Sequence, residues 1–229
     1  MQAYPLREVS RAFVPRPLPT HRGFGTVSAP FLLLEKPLTN LPIEPAIERV
    51  RHQLRARGVV VLQAPPGAGK STRLPLALLD EPWLGARRIV LVEPRRLVVS
   101  SLASYLAAQL SEPVGRRVGY RMRFDTRVSA ATRLEVVTAG VFLRRLQKDP
   151  ELADVGLVIF DEFHERSLDN DLALALSRET QTLFRPDLRL LIMSATLDAE
   201  SVCQMLQTED GVAAPLISVA GQSFPVITH

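Results

Sequence analysis

Residues 59–79 read VVVLQAPPGAGKSTRLPLALL, an apolar run that stops at Gln63 before a stretch of prolines, glycines, a lysine and two hydroxyl side chains. The β-branched residues at its start predict a buried strand. An apolar pattern resumes after the hydroxyl side chains and predicts a helix over about residues 70–80. The sequence therefore predicts a strand, a loop with a bare backbone and a helix in direct succession.

The loop from Ala64 to Ser71 reads A-P-P-G-A-G-K-S and matches the Walker A pattern, with alanine where the first glycine commonly stands. Glycine lets backbone N–H groups approach phosphate oxygens, and the N-terminus of the next helix adds a favourable partial charge. We expect Lys70 to reach the β- and γ-phosphates of a nucleotide and the Ser71 hydroxyl to hold Mg²⁺. A glycine-rich turn with a surface lysine is the alternative interpretation. The predicted nucleotide-binding residues here are Ala64, Pro65, Pro66, Gly67, Ala68, Gly69, Lys70, Ser71 and Thr72.

The composition is that of a globular chain, with 229 residues of which 46% are apolar and 23% are charged. The net charge is +4, and 25 of the 28 basic residues are arginine. This favours a polyanionic partner, although an arginine-rich genome accounts for the composition equally well. The single cysteine, Cys203, excludes an internal disulfide. No apolar run reaches the roughly 18 residues that span a membrane, so we expect no membrane contact. The absence of targeting signals, together with the family resemblance given below, predicts a cytoplasmic location.

Short apolar runs alternate with helical patterns along most of the chain. The predicted strands cover residues 59–63, 88–93, 134–139, 156–162, 188–194 and 216–220. The predicted helices cover residues 44–57, 70–80, 95–110, 140–148, 168–183 and 198–207. Near-continuous apolar strands separated by helices predict an α/β fold with a mostly parallel sheet and helices on both faces. The arginine-rich segment 112–125 fits neither pattern.

Two acidic residues follow the apolar strand at 156–160, in the stretch GLVIFDEFHERSL (156–168). Parallel sheets place their ligand sites at the carboxyl ends of the strands. We expect Asp161 to bind Mg²⁺ and Glu162 to polarise the water that attacks the γ-phosphorus. An acidic loop would give the same pair, but the loop at 64–71 in the same chain favours catalysis.

A hydroxyl-bearing turn, MSATLD (193–198), ends another apolar strand. Ser194 and Thr196 are predicted to hydrogen-bond to the carboxylates or to His164, and so to sense the γ-phosphate. By itself such a turn is common.

These motifs together resemble a known family. The Walker A loop, D-E-F-H at 161–164 and S-A-T at 194–196 resemble motifs I, II and III of superfamily 2 helicases, in that order. The DEFHERS stretch is similar to that of the DEAH group, with Phe163 replacing the usual alanine. Motifs Ia and Ib of that group are resembled by EPRRLVV (93–99) and VVTAGVFLRRL (136–146), and GYRMRFD (119–125) matches a segment between them. Glu93 and the APPGAGKS loop look most like bacterial HrpB-type ATP-dependent helicases.

The resemblance implies a RecA-like P-loop NTPase domain that uses ATP and Mg²⁺ and binds single-stranded RNA. It implies catalytic roles for Glu162, Lys70, Asp161 and His164, with His164 coupling the nucleotide state to the strand-binding side. It implies contacts to the nucleic-acid backbone from Arg95, Arg96, Thr138 and Gly140. Arg144 and Arg166 are weaker candidates for that contact, with ion pairs as the favoured alternative. Tyr105 stands where many members have an adenine-stacking arginine.

The predicted domain organisation is a disordered leader at 1–38 and a first RecA-like domain at 39–229. Four prolines between Pro5 and Pro19 argue against an amphipathic targeting helix in the leader. The family's second RecA-like domain, with its arginine fingers, has no counterpart in the sequence, and we expect it in cis or lost. The alternatives are a non-hydrolysing nucleotide- and RNA-binding module and a small kinase or other P-loop NTPase.

Overall fold

An eight-stranded sheet forms the centre of the computed structural model, which describes residues 41–195, 199–207 and 211–220. The strand order is β4-β3-β5-β2-β6-β7-β1-β8, and every neighbouring pair is parallel except the β3–β4 hairpin. The strands are β1 (Val59–Gln63), β2 (Arg88–Glu93), β3 (Val118–Met122), β4 (Asp125–Arg127), β5 (Leu134–Thr138), β6 (Val155–Phe160), β7 (Arg189–Ser194) and β8 (Leu216–Ser218). The mostly parallel α/β sheet expected from the sequence is confirmed.

Helices cover both faces of this sheet. They are α1 (Glu44–Arg57), α2 (Leu74–Ala77), α3 (Arg96–Gln109), α4 (Ala139–Lys148), α5 (Leu168–Leu183) and α6 (Ala199–Met205), with 3-10 turns at Pro82–Leu84 and Phe163–Glu165. Successive side chains of a strand point to opposite faces. Val60 and Leu62 of β1 accordingly join the apolar cluster under α1 and α3, while Val59 and Val61 join the cluster under α4, α5 and α6. None of these helices is long and apolar enough to cross a membrane.

Three details differ from the sequence predictions. Segment 112–125 contains β3 and leads into β4, neither of which was predicted. The helix expected over 70–80 is regular only at Leu74–Ala77, with turns at 71–73 and 78–80. Pro75 lies in its first turn, and since proline has no N–H to donate to the preceding turn, regular helix begins only there. The apolar residues Leu172, Leu174 and Leu176 of the predicted helix 168–183 are expected in the core, but Leu172 is 46% exposed on the outer side of α5. The predicted leader at 1–38 and the end of the chain at 221–229 lie outside the described residues.

Candidate functional site

The predicted motifs meet at one edge of the sheet. Because neighbouring strands are parallel, their carboxyl ends lie side by side about 4.8 Å apart. Along this edge the order is the phosphate loop after β1, Ser194 ending β7, Asp161 after β6, Glu93 ending β2 and Thr138 ending β5. The predicted nucleotide residues thus occupy one half of the edge, and the predicted nucleic-acid residues occupy the other.

The phosphate loop is held in place by backbone hydrogen bonds at both ends. Ala64 N–H donates to Ser194 O at 3.0 Å, and Ile43 N–H donates to Ala68 O at 3.0 Å. Gly67 and Gly69 have φ angles of 76° and 94°, which other residues rarely adopt. A Cβ on Gly69 would also lie 2.7 Å from the Leu41 side chain. The two glycines are therefore required by the shape of the loop.

Lys70 and Glu162 form an ion pair across the centre of this edge. The Lys70 Nζ lies 2.8 Å from Glu162 Oε1, and the Lys70 side chain is only 4% exposed. A buried ammonium interacts strongly with the charges around it, because water does not screen it. The structure thus brings the predicted phosphate-binding lysine and the predicted catalytic carboxylate into direct contact.

Asp161 has the surroundings expected of a metal ligand. Its Oδ1 accepts a hydrogen bond from Glu162 N–H at 2.9 Å, and its Oδ2 is buried without a hydrogen-bond partner among the described residues. Burial raises the pKa of Asp161 to about 6, and the nearby Ser71 hydroxyl acts in the opposite direction. One carboxylate and one hydroxyl beside a phosphate site form a donor set that suits Mg²⁺. The residues therefore fit the cation that the sequence predicted.

Glu93 is a third carboxyl group at this edge, and no site role was predicted for it. It is 2% exposed at the end of β2, and its Oε1 accepts a hydrogen bond from Arg95 N–H at 3.1 Å. Burial, followed by repulsion from Asp161, raises the pKa of Glu93 to about 7. The signal in the sequence was the position of Glu93 directly after the apolar run IVLV, which places a carboxyl group where neighbouring strand ends converge.

Replacing Glu93 with glutamine should stabilise the protein at high pH. A carboxyl group whose pKa is higher in the folded state binds more protons there, so its contribution to stability is present at low pH and is lost between about pH 4.5 and 7. An uncharged amide removes this loss, and we expect Glu93→Gln to gain about 2 kcal/mol at pH 8 and far less at pH 5. Urea unfolding at both pH values measures the difference.

The control for this measurement is Glu151→Gln, which removes the same charge from an exposed position. An equal gain for the two variants at pH 8, or a gain of Glu93→Gln that does not change with pH, would mean that the Glu93 carboxyl group is not held in its neutral form.

His164 connects the two neighbouring motifs. Its Nδ1 accepts a hydrogen bond from Ala195 N–H at 3.3 Å and lies 3.4 Å from Glu162 Oε2. The turn after β7 is thereby brought to the 3-10 turn Phe163–Glu165 after β6. The coupling role of His164 stays a prediction. Ser194 is buried at the end of β7, and Thr196 lies outside the described residues.

The predicted nucleic-acid residues divide into two groups. Arg96, Thr138 and Gly140 line one groove of about 470 Å³, and Arg144 also lines it. Arg95 is not among the residues that line this groove, and its guanidinium instead pairs with Glu165 at 2.6 Å. Arg166, also considered for this contact, pairs with Asp171 at 3.0 Å. Arg144 is exposed, and Arg123 lines the same groove beside it. Tyr105, at the predicted base-stacking place, is 37% exposed on α3.

A family model described as DEAD/DEAH box helicase matches residues 45–205, more than half of the chain. The chain belongs to the DEAD/DEAH box helicase family. The resemblance drawn from the sequence motifs is thereby confirmed, while the roles of single residues stay predictions.

Similar proteins in this family include bacterial and plant members. ATP-dependent RNA helicase HrpB of Escherichia coli is 51% identical over 189 residues, which are 82% of this chain and 23% of that protein. DExH-box ATP-dependent RNA helicase DExH1 of Arabidopsis thaliana is 37% identical over 190 residues, 81% of this chain and 18% of that protein. The crystal structure of the E. coli DEAH/RHA helicase HrpB superposes with a TM-score of 0.75 at 52% identity, covering 82% of this chain and 23% of that one. The chain thus spans about a quarter or less of the length of these relatives.

Proposed function

We propose that this chain is the ATP-binding and ATP-hydrolysing first RecA-like domain of a DEAH-type RNA helicase, and that it couples hydrolysis to the binding of a single strand. The observation that carries the proposal is the ion pair of 2.8 Å between buried Lys70 and Glu162. A phosphate-binding lysine and a water-activating carboxylate in contact form the centre of a γ-phosphate site. Membership of a family of ATP-dependent RNA helicases supports the same function.

The chain's own residues supply binding and orientation of the triphosphate. Backbone N–H groups of the phosphate loop face its oxygens, and the Lys70 ammonium has three donors, so it can contact Glu162 and a phosphate oxygen together. Ser71 and Asp161 would hold Mg²⁺, which neutralises negative charge on the phosphates. Glu162 accepts the proton of the attacking water, and His164 holds the turn that carries Glu162 against Ala195.

The nucleic-acid strand, in this proposal, lies in the groove lined by Arg96, Thr138 and Gly140. The guanidinium of Arg96 binds a phosphate, and the Thr138 hydroxyl is placed to contact an adjacent backbone oxygen. Contacts of this kind position a strand without reading its sequence and weaken as salt rises. We assign RNA as the strand because the similar family members are RNA helicases.

The experiment that tests this proposal measures nucleotide binding by Lys70→Ala. The fluorescence of a labelled ATP analogue, in the presence of Mg²⁺, reports the binding. Loss of a buried charge-assisted hydrogen bond should weaken binding about 10- to 100-fold. Lys148→Ala is the control, because it removes a lysine from the exposed end of α4. Equal affinity for the two variants would contradict a phosphate role for Lys70. Binding without any hydrolysis by the unaltered chain would instead favour a binding module.

A further inference from the structure

The five residues from Glu162 to Arg166, here called the acidic turn, make contacts with different parts of the fold. In chain order these contacts are Glu162 with Lys70 of the phosphate loop, Phe163 with Phe160 of β6, His164 with Ala195 after β7, Glu165 with Arg95 before α3, and Arg166 with Asp171 of α5. Each consecutive residue thus ties the acidic turn to a separate element.

The backbone of the acidic turn depends on these contacts. Glu162 and Arg166, at its two ends, have φ angles of 44° and 40°, in the left-handed region that residues with a Cβ rarely adopt. Such a conformation persists only where the surrounding structure holds it. The contact of each side chain therefore bears on the position of the catalytic carboxylate.

Arg95 joins the acidic turn to the start of α3, where the nucleic-acid groove begins. Its guanidinium makes two contacts with Glu165, Nη2 to Oε1 at 2.6 Å and Nε to Oε2 at 3.2 Å. Its backbone N–H is fixed by the buried carboxyl group of Glu93. Its neighbour Arg96 is the first residue of α3 and lines the groove, which Arg95 does not.

We propose that Arg95 is a positioning residue rather than a nucleic-acid contact, and that its pair with Glu165 couples the strand in the groove to the nucleotide at Glu162. The proposal rests on the proposed function. A planar guanidinium that meets a carboxylate through two nitrogens fixes orientation as well as distance. The start of α3 and the acidic turn then move together, so that a nucleotide against Lys70 and Glu162 changes the placement of Arg96 in the groove. By thermodynamic linkage, a bound strand changes the affinity for nucleotide by the same factor.

The test measures this coupling directly and needs no turnover. The affinity for a fluorescent non-hydrolysable ATP analogue with Mg²⁺ is measured with and without saturating 12-nucleotide oligouridylate, for the unaltered chain, Arg95→Gln and Glu165→Gln. We expect RNA to change the nucleotide affinity of the unaltered chain by about fivefold or more, within the range usual for linked sites. In each variant the change should fall below about twofold, while the separate affinities for nucleotide and RNA stay within about threefold of the unaltered chain.

Two further variants separate coupling from simpler effects. The double exchange Arg95→Glu with Glu165→Arg restores the pair with its charges reversed, and we expect it to recover at least half of the coupling. Arg96→Gln should instead weaken RNA binding and lower the slope of log affinity against log salt by about one, as loss of a phosphate contact does. Arg95→Gln should leave that slope unchanged.

Three results would overturn the proposal: a salt slope of Arg95→Gln reduced like that of Arg96→Gln, coupling retained in Arg95→Gln, or no coupling in an unaltered chain that binds both ligands. An unaltered chain that binds neither nucleotide nor RNA would contradict the proposed function itself. The two failures are therefore distinguishable.

Discussion

Glu162→Gln is expected to lower the rate of ATP hydrolysis by about 100- to 10,000-fold, the usual contribution of a positioned general base. An amide has nearly the same shape as the carboxylate but cannot accept the proton of the attacking water. The phosphate loop and Asp161 are unchanged, so nucleotide should still bind. Hydrolysis under single-turnover conditions, with the protein in excess over radiolabelled ATP and Mg²⁺, measures the rate of the chemical step even where it is slow.

The control for this change is Glu179→Gln, which removes one carboxylate from the exposed side of α5. Since Lys70 lies 2.8 Å from Glu162, nucleotide affinity must be measured beside the rate. A loss of binding that accounts for the whole loss of rate would show that Glu162 acts only by placing Lys70. A rate equal to that of the control, with binding intact, would remove Glu162 from the chemical step.

The site could be predicted largely because its residues stand at strand ends. An apolar run predicts a buried strand, and a parallel sheet brings the residues after each strand to one edge. That reasoning places Lys70, Asp161 and Glu162 together from the sequence alone. It could not predict that Arg95 pairs with Glu165, because the two residues are 70 positions apart and each has several charged residues within reach. The position of Glu93 after the run IVLV places its carboxyl group at the same edge, but it does not show that the group is buried, since a single residue at a strand end carries no periodic signal of burial.

The β3–β4 hairpin shows where pattern reasoning fails in this fold. Only the first three residues of β3 are buried, and an arginine follows them, so neither an apolar run nor a clean alternation is visible. The strand is instead defined by its hydrogen-bonded pairing with β5, to which it lies parallel with Val118 opposite Leu134 and Arg121 opposite Val137. The prediction for α2 is too long for the converse reason: the apolar pattern covers residues 70–80, but Pro75 delays the start of the helix and only four residues are regular.

A buried carboxylate holds this hairpin side of the sheet together. Glu135 of β5 is 1% exposed, and three arginines surround it: Arg121 of β3 at 2.6 Å, Arg145 of α4 at 3.4 Å and Arg88 of β2 at 3.7 Å. Glu135 has no role in the proposed nucleotide site formed by Lys70, Asp161 and Glu162. Its role is therefore structural, as the shared partner of cations from three elements.

Glu135→Ala is expected to lower the free energy of unfolding by about 3 kcal/mol, because removal of one partner leaves the remaining buried charges uncompensated. The expected loss lies at the low end of the usual range, because the three arginine side chains are 21–43% exposed and can be partly hydrated by water when Glu135 is removed. Urea unfolding at pH 7 measures the loss, and Glu135→Gln, which keeps hydrogen-bond acceptance but not the charge, should lose less. Hydrogen exchange should quicken first in β3, where Arg121 loses its one ion-pair partner among the described residues. A loss below about 1 kcal/mol for Glu135→Ala would mean that the arginines are held by water and by Asp154, and that β3 is fixed by its pairing with β5 alone.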